Sequence, residues 1–449
     1  MAVPTSPHVC PTSLPDPRKA NAATPGALWN TPCVPEQTTQ KAASTGMANG
    51  GVIAVAIGVM NVATYGFTII AARWLGPTQY GAFAAVMNLL MVVSVAQLGL
   101  QATAARRISS TPGDVSVIED GIRRVTWLTS LGLGALLLLA APLINAALRL
   151  DSLLTAYVVG LIAVPLTLMG GQAGTLQGER RWRPLALLYV AAGVPRLLVG
   201  TALILWQPEE LTAIIAVFIW ALAPVAVGAV ALRHRVHVPH DSDEDHGVRA
   251  LFRELGRNSQ ALLAFFAVSN VDVILARSVL DNAESGLYAA GLILTKAVLF
   301  LPQFVVVVAF PDMANAGERR RALRLSLTVV AALGVVGVLA TWVLSHVALV
   351  FVGGAEYSAV QDQLWQFAIL GTLLSMIQLL VYALIAQQGG KATLLLWAAL
   401  VAIVIGAQFT DTVMELLTLV DIIDGVLLLA LLVPVLLFGP KQPAPGPVE

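Results

Sequence analysis

The chain has 449 residues, 57% of them hydrophobic and 12% charged, with a mean hydropathy of +0.80, a balance that excludes a soluble globular domain and marks a membrane protein. Lys plus Arg and Asp plus Glu are equal at 26 each, so net charge points to no nucleic acid or acidic partner. The two cysteines, Cys10 and Cys33, both lie near the N-terminus, which argues against a disulfide-stapled core and a cysteine-based metal site.

Residues 1–46 are rich in Pro, Thr and Ser and hold no apolar run long enough for a signal-peptide core. They are expected to form a disordered cytoplasmic tail. Met47 directly precedes the first apolar segment, so a later start and a regulatory tail are both open readings. A bilayer core about 30 Å thick takes roughly 20 helical residues to cross, and twelve stretches reach that length. They are 50–73, 80–104, 125–147, 153–175, 184–206, 211–232, 258–280, 286–310, 325–351, 364–386, 391–409 and 418–438. Asp411, Glu415, Asp421 and Asp424 crowd the junction of the last pair. The expected organisation is an N-terminal six-helix lobe over 47–232, a cytoplasmic linker over 233–257, a C-terminal six-helix lobe over 258–438 and a short tail over 439–449. The linker's His237, His240, Asp241, Asp243 and His246 are read as solvated charge rather than a metal site.

Basic residues test this topology, because Lys and Arg accumulate on cytoplasmic loops. Alternate loops carry Arg106 and Arg107 with Arg123 and Arg124, then Arg180, Arg181 and Arg183, the linker arginines, and Arg319, Arg320, Arg321 and Arg324. Lys391 and both tails fall on the same side. Of the 26 basic residues only Arg73, Arg149 and Arg277 fall outside, with Arg196 and Lys296 inside spans. Both termini are therefore expected in the cytoplasm.

One pattern occurs twice. ARWLGPTQYGAFAA, Ala72 to Ala85, and ARSVLDNAESGLYAA, Ala276 to Ala290, each join the first and second spans of a half, the second copy being one residue longer. Six spans per half place both copies in the same orientation, which predicts a parallel internal repeat about an axis along the membrane normal, with a substrate site between the halves.

The stretches RWLGPTQYGAFAAVMNLLMVVSVAQLGLQATAAR and VDVILARSVLDNAESGLYAAGLILTKAVLFLP resemble the two signatures of bacterial polysaccharide transporters. These belong to the multidrug/oligosaccharidyl-lipid/polysaccharide exporter superfamily, with the O-antigen flippases, the lipid II flippase and the multidrug extruders. The resemblance implies an all-α, MATE-like fold of twelve transmembrane helices, two six-helix bundles in a V opened alternately to either side. It also implies an undecaprenyl-diphosphate-linked glycan as substrate, in a bacterial cytoplasmic membrane, with glycan-assembly enzymes as partners. Lipid II flippases usually carry two further helices that are not seen here.

Ionisable groups deep in a bilayer are costly and usually face a cavity or a partner. Arg196, Asp272 and Lys296 fall about 12 to 15 Å below the outer surface by helical rise. Asp272 and Lys296 have two open readings: a structural salt bridge across their helical hairpin, or a functional role in which Asp272 takes a coupling ion. Arg196 is the better candidate for a phosphate, since its planar fork matches one. Asn88, Gln97 and Gln101 share a helix, and either interhelical hydrogen bonding or glycan contact would use them. The superposed first copy has Thr68 in place of Asp272 and Met91 in place of Lys296.

The expected function is a lipid-linked oligosaccharide flippase, with no enzymatic chemistry. The alternatives are a cation-coupled multidrug extruder and, third, a membrane glycosyltransferase or polymerase, for which the outer loops are short. No GxxxxGK[ST] pattern occurs, and no cofactor or metal is expected.

Overall fold

Gly76 makes the first turn. In the computed structural model residues 36–110, 115–233, 248–314, 319–385 and 390–437 are described, and their regular structure is helical throughout. The first helix, α1 (Glu36–Ser110), holds one residue off the helical path, Gly76, at φ 68° and ψ 171°. Glycine adopts that backbone without a Cβ clash, and Pro77 follows with φ preset for a helix start. α1 therefore has two arms, matching the separate spans expected at 50–73 and 80–104.

The remaining helices are α2 (Val115–Leu139), α3 (Ala141–Leu148), α4 (Leu153–Gly178), α5 (Trp182–Trp206), α6 (Glu210–Ala231), α7 (Val248–Val279) and α8 (Asn282–Ala314). They are followed by α9 (Arg319–Val343), α10 (Ser345–Val352), a 3-10 segment (Ala355–Gln363), α11 (Leu364–Ile385), α12 (Gly390–Ala407) and α13 (Val413–Leu437). Nine helices among the described residues are long and apolar enough to cross a membrane, the first of them running 59 residues, Gly51–Ser109. With that helix taken as its two arms, and with α8 and α12 added, the twelve expected crossings are present.

Three boundaries differ from expectation. α1 starts at Glu36, within the segment read as tail, and α7 starts at Val248, within the segment read as linker. α13 starts at Val413 rather than at 418, so Glu415 joins Asp421 and Asp424 inside it. The rest of the N-terminal tail, the loop residues His237, His240, Asp241, Asp243 and His246, and the C-terminal tail fall outside the described residues.

Helices pack mainly within each half: α5 on α6, and α2 and α6 on α4; then α8 and α9 on α11, and α12 on α7 and α13. Lipid tails are as apolar as side chains, so close approach at small residues does much of the holding. α4 presents Gly170, Gly174 and Gly178, four apart on one face, to the second arm of α1. A β-carbon on Gly170 would strike the backbone of Gln97, and one on Gly174 the backbone of Gln101. In the second half Gly291 of α8 and Gly371 of α11 make the equivalent approach, to Phe367 and Thr295.

The repeated pattern explains the centre of the molecule. Its two copies lie at the same end and touch: a β-carbon on Gly81 would sit 2.9 Å from the Gly286 nitrogen, and one on Gly286 would collide with the Pro77 carbonyl. Ten residues further along each helix, Met91 and Lys296 meet again, with Lys296 Nζ 3.5 Å from Met91 Sδ. Repeat mates meeting at two levels means that the second arm of α1 and α8 run side by side in the same direction. That is the signature of a parallel repeat whose axis passes between them. The second copy turns without a glycine: the Asp281 carboxylate accepts a hydrogen bond from the Glu284 N–H at 2.8 Å and caps the start of α8.

Candidate functional site

A cavity of about 130 Å³ lies on this axis. Asn61, Thr64, Tyr65 and Thr68 line it from the first arm of α1, and Tyr80, Phe83, Met87, Asn88 and Met91 from the second. α5 contributes Arg196, and α8 contributes Ala289, Leu292, Ile293 and Lys296. Both halves of the chain therefore face one space, and two cations point at it with no carboxylate among the described residues of its lining. Three of the six residues singled out in the sequence, Arg196, Lys296 and Asn88, are brought together here.

Arg196 follows Pro195 inside α5. Its guanidinium carbon stands 5.1 Å from the Trp220 ring centre and 5.5 Å from that of Phe67, so two aromatic faces hold the charge where, among the described residues, no acid does. Its Nε is buried and has no hydrogen-bond partner. An oriented donor without an acceptor beside a cavity is what an incoming anion would meet.

Lys296 is held differently. Its ammonium donates to Asn88 Oδ1, across the two halves, and to Asn270 Oδ1 at 3.3 Å. Each asparagine is oriented by its own helix, since Asn88 Nδ2 donates to the Ala84 carbonyl and Asn270 Nδ2 to the Phe266 carbonyl, both at 2.7 Å. With the amide nitrogens committed one turn back, both oxygens are left for the lysine.

The salt bridge considered for Asp272 and Lys296 is therefore absent from the described ion pairs. Neutral amides take the ammonium, while Asp272 Oδ2 accepts from the Tyr288 hydroxyl at 3.1 Å and Oδ1 is buried without a partner. Asp272 is 2% exposed and is not part of the cavity lining. It instead faces carboxylates that the sequence reading assigned to a helix junction. Asp421 and Asp424 of α13 lie within electrostatic reach of it, and Asp424, 0% exposed, has neither oxygen hydrogen-bonded. Their spacing of three on an apolar helix was the available signal, since it puts both on one face.

Gln97 and Gln101 do not line the cavity. Gln97 Nε2 lies 3.8 Å from Met169 Sδ, while Gln101 Nε2 donates to Gln177 Oε1 at 3.0 Å and to the Tyr189 hydroxyl at 2.8 Å. They join the second arm of α1 to α4 and α5, the interhelical alternative. Gln101→Leu is accordingly expected to lower the melting temperature by a few degrees, at about 0.6 kcal/mol per interhelical bond, and to leave transport at matched membrane levels unchanged. A loss of transport without loss of stability would return Gln101 to the substrate path. Tyr80 of the lining, and Asn270, Trp220 and Phe67, which hold the two cations from behind it, went unread in the sequence, because nothing local distinguishes such an asparagine or aromatic from a packed one.

The fold is shared with solved transporters. A multidrug resistance MATE family transporter of the MOP superfamily, in an inward-facing conformation, is 13% identical with a TM-score of 0.66 over 83% of this chain and 93% of that one. The lipid II flippase MurJ in an inward closed conformation is 11% identical, with a TM-score of 0.65 over 85% of this chain and 87% of that one. A MOP superfamily transporter from Pyrococcus furiosus is 14% identical, with a TM-score of 0.58 over 85% and 93%. Identities this low establish the fold alone. Two parallel six-helix halves around an axial cavity thus define a multi-pass membrane protein of the MATE-like class. Residues 47–317, more than half of the chain, match the family of polysaccharide biosynthesis proteins, and the chain belongs to that family. No curated protein matches it.

Proposed function

We propose that the protein moves an undecaprenyl-diphosphate-linked oligosaccharide from the cytoplasmic to the outer leaflet of a bacterial cytoplasmic membrane by alternating access. The observation that carries this reading is the axial cavity with two cations, Arg196 and Lys296, and no acidic residue among the described residues of its lining. Such a site suits an anionic head group. A cationic drug would meet repulsion there, which disfavours the extruder reading. A glycosyltransferase would need an acid or base at the substrate, and the lining offers neither a carboxylate nor a histidine. The cavity is about as large as one that holds a single benzene, so a glycan requires the halves to part.

The test is reconstitution of the full chain into liposomes with a fluorescent lipid-linked oligosaccharide. Protein-dependent exposure of the glycan to an added lectin on the opposite face supports the reading. Efflux of a cationic dye in its place would overturn it.

In this reading residues 47–232 and 258–438 are the moving lobes, and both termini are cytoplasmic. Reporter fusions after Arg107, Arg181 and Arg321 are expected to read cytoplasmic, and an external reading from any one would reverse the assignment. Asp272, with Asp421 and Asp424 within electrostatic reach of it, forms the seat for a coupling proton. Carboxylates in an apolar interior are costly and mark a functional seat. Asp424→Asn is expected to leave downhill exchange intact and to remove the response to an imposed ion gradient. Undiminished gradient-driven transport in that variant would discard the coupling role.

A further inference from the structure

The end of the cavity marked by Gly81 and Gly286 is closed by more than steric contact. Arg277, in the last turn of α7, is 1% exposed. Its Nε donates to the Leu148 carbonyl at 2.8 Å and its Nη2 to the Arg149 carbonyl at 3.0 Å. Those carbonyls belong to the C-terminus of α3, in the other half. Arg149, the residue that ends α3 at φ 47°, reaches back: its Nη1 donates to the Leu280 carbonyl at 2.7 Å and its Nη2 to the Ser278 carbonyl at 2.6 Å. Those two lie at the C-terminus of α7. Each arginine thus caps the helix end that carries the other, where carbonyls lack intrahelical partners and the helix dipole is negative.

We propose that Arg149 and Arg277 form a reciprocal clasp that latches this end of the transport path, and that its release lets the end open. Three observations support a latch over a static brace. The four carbonyl contacts all cross between the halves, so none survives their separation. Arg277 also lies in the field of Glu210 and Asp151 from the first half, and its Nη1 is anchored within its own half by Ser285 Oγ at 3.2 Å. A parted Arg277 therefore keeps a partner and is not stranded. Third, the closure is continuous with the cavity. Tyr80, which lines it, packs against Tyr357 with ring centres 6.5 Å apart, and the Tyr357 hydroxyl donates to the Ala72 carbonyl at 2.7 Å, again across the halves. The clasp is not symmetric, because Arg73, the repeat mate of Arg277, is exposed.

The proposal rests on the alternating-access reading only in that opening serves passage; the closure itself is measured apart from any substrate. Spin labels at Pro208→Cys and Ala283→Cys, exposed positions in the two halves at this end, are placed in the full chain after Cys10→Ser and Cys33→Ser. Electron–electron distances in lipid nanodiscs then report how far this end is parted. Arg149→Asn keeps a residue that tolerates positive φ and is too short to reach α7. Losing its two charge-assisted bonds, weakened by solvent because Arg149 is exposed, is expected to raise the ratio of long to short distances by about tenfold. Arg277→Gln should act in the same direction, and since Arg149 is exposed, Arg149→Asn carries the test if the buried substitution fails to fold. An unchanged distance distribution in a folded Arg149→Asn protein overturns the clasp, whatever the transport assay gives. A lengthened distance in a protein that moves no lipid-linked glycan upholds the clasp and overturns the substrate reading instead.

Discussion

Arg196→Ala is expected to reduce glycan export roughly a hundredfold at matched membrane levels, the loss of about two charge-assisted hydrogen bonds to a diphosphate. The folded protein should survive, because Arg196 has no acidic partner among the described residues to strand: its neighbours are the rings of Phe67 and Trp220. Removing a desolvated charge from between two aromatics also relieves a cost that only the ring faces offset. Arg196→Lys separates charge from geometry. It keeps the cation but loses both the planar fork and the flat stacking, so partial export is the expected result. Export and thermal stability are measured on the same membranes. Full export in the alanine variant removes Arg196 from the substrate path, while collapse of its membrane level would make the residue a structural support of the contact among α1, α5 and α6.

Why the fold was legible from the sequence and half of the site was not follows from the range of the signals. A bilayer-crossing helix announces itself over a continuous window of residues, and the placement of Arg106, Arg107, Arg180 and Arg181 fixes alternate loops, so the crossings and the repeat needed only local information. The depth of Arg196 and Lys296 was equally local, being a count of residues from a helix end. Partner choice is not local. Asp272 and Lys296 sit on adjacent helices and a salt bridge was a fair expectation, but Asn88, about two hundred residues away in the sequence, takes the ammonium, and Tyr288 takes the carboxylate. Gln97 and Gln101 share a face of α1, and only the approach of Gly170 and Gly174 on α4 shows that this face is turned into the first half. Asp421 and Asp424 fell within the expected span 418–438 but were read with the crowding at its start, and their approach to Asp272 of α7 is again a matter of partner choice between distant helices.

Lys296→Met tests the axis and the cavity together. Met91 is the repeat mate of Lys296 and already lies against it, so methionine at 296 would complete a symmetric contact with little change in side-chain length. Its flexible thioether fills the same gap without strain. The asparagine oxygens of Asn88 and Asn270 lose their donor; Asn88 lines the cavity, where water can replace an ammonium, but Asn270 is 3% exposed and outside that lining, so stability should fall by about 1–3 kcal/mol. Export should nevertheless fall by more than tenfold if the cavity holds the proposed head group, because one of the two cations facing the cavity is gone. Lys296→Ala would give a less decisive result, since it also empties the stem's volume and confounds charge with packing. A purified Lys296→Met protein that stays folded in the membrane at the parent's level but fails to move the lipid-linked glycan assigns the lysine to the substrate. If export is retained, the Asn88–Lys296–Asn270 bridge serves only to join the halves, and Arg196 alone must hold the diphosphate.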